Sequence, residues 1–212
     1  MNFLKTFESK AKKPALLLKT SGATFSVGDR EDMKMRIKSI INQAGIKNPP
    51  NIYLIHGDFS AEEMAGLYNH PKVKAMVSFT HGEGFGRPLL EFSNTGKPTI
   101  ASNWSGHVDF LSKYGILLAG KLEDVHESAQ WEKVIIKGSK WFYVDQNYAS
   151  AVFKEIYKNY KKHHEVTRKQ TQYVKENFTL EVMGEKFKEI MEIIPVKQEL
   201  NMNLPKLEKV NG

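Results

Sequence analysis

From Ala15 onward the chain alternates short apolar runs with longer stretches of helical period, and only a few architectures accommodate that alternation. The runs at 15–19, 51–56, 75–80, 98–102 and 116–119 are too short for helices and read as strands. Four of the five are almost continuously apolar, the pattern of strands covered on both faces. Between the first two, residues 30–44 bring Met33, Ile37, Ile40, Ile41 and Ala44 onto one helical face, and Gly45 is a natural stop. Ser60 followed by Glu63 is a capping box, each side chain satisfying the other residue's free backbone N–H. It opens a helix that runs through Tyr68 and ends at Pro71. Residues 87–94 and 107–114 form two further short helices between successive strands. The order β-α-β-α-β-α-β-α-β predicts an α/β fold on an open, doubly wound parallel sheet, followed by C-terminal helices.

The rhythm breaks at 120–143, where Trp131, Val134, Ile135, Ile136, Trp141, Phe142 and Tyr143 mark either another strand or an insertion. Two helical stretches follow, 146–162 and 179–193, the second capped by Thr179 and stopped by Pro195. The expected division is an N-terminal extension over 1–13, helical or a tether, a ligand-binding domain over 14–194 and a flexible polar tail over 195–212.

Composition narrows the function classes. Of the 212 residues 41% are hydrophobic, including 12 Phe, 8 Tyr and 3 Trp, enough to fill one principal core. The absence of cysteine rules out disulfides, thiolate metal sites and a cysteine nucleophile. No run approaches the roughly 20 apolar residues of a membrane helix, and the first 13 residues lack the apolar centre of a signal peptide. A cytoplasmic, unprocessed protein with no transmembrane segment is the expectation. A net charge of +7 and a pI near 9.3 favour acidic partners: nucleic acid, anionic lipid or a diphosphate. Lys154, Lys158, Lys161, Lys162 and Lys169 read as a solvated helix face, and no specific nucleic-acid binding is expected.

In open parallel sheets ligands bind beyond the carboxyl ends of the strands. Thr20, Ser21 and Gly22 follow the first strand, His56, Gly57 and Asp58 the second, residues 81–86 the third and residues 103–107 the fourth. In the third of these turns the alternating glycines Gly82, Gly84 and Gly86 let the backbone approach a ligand, and Pro88 suits a first helical turn. Backbone N–H groups from Phe85 to Leu90 would face an anion such as a diphosphate, with the helix dipole aligned to favour it. Arg87 stands where the dinucleotide fingerprint needs its third glycine, which argues against a nicotinamide cofactor.

Glu83 and Glu91 frame this segment, and two carboxylates beside one cleft can accept the paired hydroxyls of a sugar and of a ribose. Taken singly, these features have plainer readings: a tight strand-to-helix connection and two surface charges. His56, His81 and His107 lie just past strands on the same side, where each either touches substrate or makes a structural hydrogen bond. No histidine grouping has zinc spacing, and neither a metal nor another cofactor is expected.

The segment Glu83-Gly84-Phe85-Gly86-Arg87-Pro88-Leu89-Leu90-Glu91, followed by Gly96-Lys97-Pro98-Thr99-Ile100-Ala101-Ser102, resembles the E-G-F-G-x-P-x-x-E…G-x-P-V-I-A-S block of retaining GT-B glycosyltransferases. The motif resemblance is strongest over 77–106, and the layout agrees over 15–193. It implies a Rossmann-like half of a GT-B fold, the C-terminal domain that binds a UDP or GDP sugar as substrate. By that resemblance Glu83 is the catalytic-site carboxylate, binding hydroxyls of the donor sugar. Gly84, Phe85 and Gly86 place backbone N–H groups near sugar and phosphate, and Glu91 holds the ribose; Leu89 of the motif, and His81 by its position just past the third strand, complete the expected donor-binding set. The family's usual Arg and Lys pair is not visible, so Lys19, with Arg87, is left to neutralise the diphosphate. Trp104 departs from the small residue usual in the turn after the fourth strand, and Asp109 stands near the family's acidic position.

The resemblance implies transfer of a hexose with retention, in a cleft between two facing domains, of which this sequence matches one. The acceptor half is expected from another domain or a second polypeptide; self-pairing into a homo-oligomer is the alternative. A third reading is a catalytically inactive structural or interaction module that keeps the half-fold. The retained pair of glutamates favours a working donor domain over such a module.

Overall fold

The computed structural model describes residues 1–20 and 25–193. Ser21, Gly22 and the tail expected over 195–212 lie outside the described residues. The described residues fall into two compact units, the first ending at Lys175 and the second starting at Glu176.

The first unit is α/β. Helix α1 (Asn2–Phe7) leads into β1 (Leu16–Lys19), α2 (Val27–Ala44), β2 (Ile52–Ile55), α3 (Ala61–Asn69), β3 (Met76–Ser78), α4 (Arg87–Ser93), β4 (Thr99–Ser102), α5 (Val108–Leu111) and β5 (Ile116–Leu118). Each strand lies inside the run expected for it. All five are parallel but fall into two ladders: β1 with β2, Leu16 opposite Ile52, and β3–β4–β5, with Met76 opposite Thr99 and Ile100 opposite Ile116. Only β4, central in its ladder, is buried at every residue. Two-sided burial, expected of nearly all the strands, fails for β1, whose residues alternate between half-buried and exposed. A cavity of about 1520 Å³ is lined by Leu16, Leu17 and Leu18 of β1, Met76 of β3, Ile100 of β4, and Phe153.

Local chemistry accounts for the helix ends. The Ser26 hydroxyl accepts from the Asp29 N–H and starts α2 three residues earlier than expected, while Gly45, with φ +64°, ends it in the left-handed region. Of the five residues on its expected apolar face, Met33, Ile37, Ile41 and Ala44 are half-buried, whereas Ile40 is exposed. The Ser60–Glu63 capping box opens α3. His70 follows it in an extended conformation, as a residue before proline prefers. The Lys97 ammonium donates to the Tyr68 and His70 carbonyls at 2.6 and 2.9 Å and so covers the C-terminal end of this helix.

The unplaced stretch is an antiparallel hairpin, β6 (Gly120–Asp124) with β7 (Lys140–Val144), Leu122 opposite Phe142. Helix α6 (Gln146–Lys158) starts at Asp145, whose carboxylate accepts from the Asn147 and Tyr148 N–H groups. Its Phe153 and Ile156 join Phe7, Ile100, Leu118, Phe142 and Val144 in one core. The N-terminal segment is anchored there: Leu4 and Phe7 are buried, and Asn2 donates to the Gln146 carbonyl at 2.6 Å.

The helix expected to reach residue 162 stops at Lys158, and a separate helix, α7, runs over Tyr160–Asn177. Two of its three buried residues, Thr167 and Gln170, are polar and leave no apolar period to read. Thr167 donates to the Gly96 carbonyl and Gln170 to that of Phe110, so α7 is fixed through hydrogen bonds. In the second unit α8 (Leu180–Ile193) has Thr179 as its cap, the hydroxyl accepting from the Val182 N–H at 3.3 Å.

Candidate functional site

Two loops beyond the parallel strands are clipped together at Glu83. Its N–H donates to the Ser105 hydroxyl at 2.7 Å, and its carbonyl accepts from the Gly106 N–H at 3.0 Å. Ser105 has φ +76°, a costly conformation for a non-glycine residue, and this clip is what it supports. A Cβ added at Gly106 would lie 2.1 Å from the Gly84 carbonyl oxygen, so glycine is required there. Gly86, with φ +84°, caps α4, and a Cβ on it would approach that of His107 to 2.9 Å. The Leu89 and Leu90 N–H groups both donate to the Gly86 carbonyl, and the Leu89 side chain is buried. The backbone N–H groups of Gly84, Phe85, Gly86 and Arg87 have no partner among the described residues. The space beside Gly84 is open, since a Cβ there would meet nothing within 4 Å. Phe85 leans on Phe110 at 5.5 Å and stays 43% exposed.

Both glutamates are half-buried. Glu91 Oε1 accepts from Arg87 Nε at 2.7 Å, one helical turn back. Arg87 is largely exposed, so the pair contributes only about 0.3–0.5 kcal/mol. Lys19 Nζ donates to the Gly57 carbonyl at 3.0 Å and lies over the Phe59 ring. Lys19, Arg87 and Glu91 share the lining of the large cavity, whereas Glu83, His81 and Gly84–Gly86 do not. Tyr68 lies on the same cavity, and burial, followed by the Glu91 charge, pushes its phenol above the usual range.

The histidines make defined contacts. His81 Nδ1 is 2.9 Å from the Phe142 carbonyl, and its ring stacks on Trp141 at 4.6 Å, so β7 holds it in place. His56 Nε2 is 2.6 Å from Asp29 Oδ2, tying β2 to the first turn of α2. His107 is fully buried under the glycine loop; Nε2 is 2.6 Å from the Ser102 carbonyl, and Nδ1 is without a partner. Among the described residues no group of three His, Asp or Glu side chains could hold a metal ion, and no helix is long and apolar enough to cross a membrane. Lys154, Lys158, Lys161, Lys162 and Lys169 are all exposed, on two helices rather than one. Ser105 was not marked by the sequence, because a seryl hydroxyl that fixes another loop's N–H has no signature in spacing.

No protein-family model and no curated protein sequence matches the chain. Solved structures do. Sucrose-phosphate synthase from Thermosynechococcus elongatus is similar with a TM-score of 0.60 and 16% identity, over 90% of this chain and 42% of that one. HepE from Anabaena, in complex with UDP and glucose, gives 0.59 and 12%, over 90% and 44%. A glycosyltransferase from Rickettsia africae gives 0.55 and 15%, over 89% and 50%. The chain thus spans half the length of these neighbours or less. At such identities the likeness is one of architecture: the chain has the α/β, Rossmann-like fold of one half of a GT-B glycosyltransferase.

Proposed function

We propose that the chain is the donor half of a glycosyltransferase, binding a nucleoside diphosphate sugar for retaining transfer of a hexose. The observation that carries this reading is the clipped pair of loops, which fixes Glu83 beside four unpartnered backbone N–H groups, Gly84 to Arg87. A carboxylate accepts hydroxyl protons and the N–H groups donate to phosphate oxygens, so the two together suit a sugar joined to a diphosphate. Glu91 keeps Oε2 for ribose hydroxyls while Arg87 holds Oε1. Lys19 and Arg87 bring positive charge to the same cavity as Glu91 and would offset the diphosphate. The fold likeness to HepE, solved with UDP and glucose, supports this ligand class. The acceptor site is then the contribution of a second domain or polypeptide, and its closure would exclude water from the donor.

Calorimetric titration with UDP, GDP and ADP sugars tests the reading. Saturable binding of one of them is expected, and Glu91→Ala should weaken it by about 1–3 kcal/mol, the cost of hydrogen bonds to a charged group. A folded chain that binds none of the three would sink the proposal.

A further inference from the structure

The nucleotide reading leaves the Trp104 indole without a task. It is 41% exposed. The Phe142 ring lies nearly parallel to it, at 4°, with centroids 6.3 Å apart. A Cβ added at Gly82 would be 3.7 Å from both Nε1 and Cδ1 of Trp104. Indole nitrogen can only donate, and here it makes no hydrogen bond among the described residues. The next residue, Ser105, holds the Glu83 N–H, so this ring is placed beside the Glu83 loop by the same clip that fixes the Glu83 backbone. The space over Gly84 is open.

We propose that Trp104 is the stacking wall of a hexose subsite. The proposal deepens the donor reading and rests on it for its setting. A pyranose ring has one face of C–H bonds and an edge of hydroxyls. The C–H face packs on the electron-rich indole face, the hydroxyl edge meets the Glu83 carboxylate, and the free indole N–H donates to a ring substituent. A nucleobase could use the aromatic face, but it has no vicinal hydroxyls for Glu83. An indole has only two side-chain torsions, so little side-chain freedom is lost on binding.

The test is saturation-transfer NMR on the full chain with D-glucose, D-galactose, D-mannose and uridine as separate probes, beside calorimetry with UDP. Saturation should reach the ring C–H protons of at least one hexose. Trp104→Ala should weaken that hexose about tenfold, Trp104→Phe should retain most of the binding, and the affinity for UDP should be unchanged in both. Thermal melts of the variants, expected to match the parent because Trp104 is exposed, show that the effect is local. Hexose binding unaltered in Trp104→Ala, or saturation of none of the three hexoses, overturns the subsite. So does a signal confined to uridine's base protons and lost in Trp104→Ala. UDP binding without hexose binding would remove Trp104's role and leave the donor reading standing. Hexose binding that depends on Trp104, with no nucleotide bound, would do the reverse.

Discussion

At the scale of single residues, the site depends on positions where one atom more cannot be housed. Gly106→Ala would push a methyl group into the Gly84 carbonyl and separate the two loops that hold Glu83. The expected result is a stability loss of about 1–3 kcal/mol in urea denaturation, with loss of nucleotide binding by calorimetry. Lys97 makes a different kind of contact, its ammonium shared by two carbonyls at the end of α3. Lys97→Met should cost about 1–2 kcal/mol at neutral pH. Burial, and then the Lys74 charge, holds the Lys97 amine below the ordinary lysine value. Between its folded value and roughly 10.4 the unfolded chain therefore binds the extra proton, and stability rises with pH across that window. Denaturation midpoints measured across the window should show the rise in the parent and not in Lys97→Met.

At the scale of elements, caps and polar anchors do much of the positioning. Ser60 accepts from the Glu63 N–H while the Glu63 carboxylate accepts from the Ser60 N–H at 2.8 Å. Ser60→Ala removes half of this exchange and should lower stability by about 1 kcal/mol, measured by thermal or urea unfolding. The hairpin β6–β7 acts on the site through His81, whose ring it stacks and hydrogen-bonds. Helix α7 fixes the turn at Gly96, between α4 and β4, through Thr167. Neither contribution is apparent from periodicity, since the contacts are long-range and in α7 partly polar.

At the scale of the whole molecule, the division of the parallel strands into two ladders bears on ligand binding. Lys19 belongs to β1, in one ladder, and Arg87 and Glu91 follow β3, in the other, yet the three line one cavity. A nucleotide that touches all three would link the ladders. A bound ligand at 100 times its Kd stabilises the folded state by about 2.7 kcal/mol, so a nucleoside diphosphate that binds should raise the thermal midpoint. It should also slow amide exchange in β1 and β3 relative to β5. A midpoint that rises with no change in β1 exchange would place the ligand on the Glu83 side alone.

The sequence by itself determined the order and positions of the five parallel strands, the caps at Ser60, Thr179 and Gly45, and the glycine turn between Glu83 and Glu91. These follow from apolar run length, side-chain-to-backbone hydrogen bonding and left-handed backbone geometry, all of which are local. Only the tertiary structure decided that the strands form two ladders around a cavity, because strand neighbours are chosen by packing partners far apart in sequence. It alone revealed Ser105 as the residue that holds Glu83, and Trp104 as an exposed ring lying parallel to that of Phe142. Those two contacts join residues 22 and 38 positions apart, and no local pattern of residues encodes a contact made across two loops or between a loop and a hairpin.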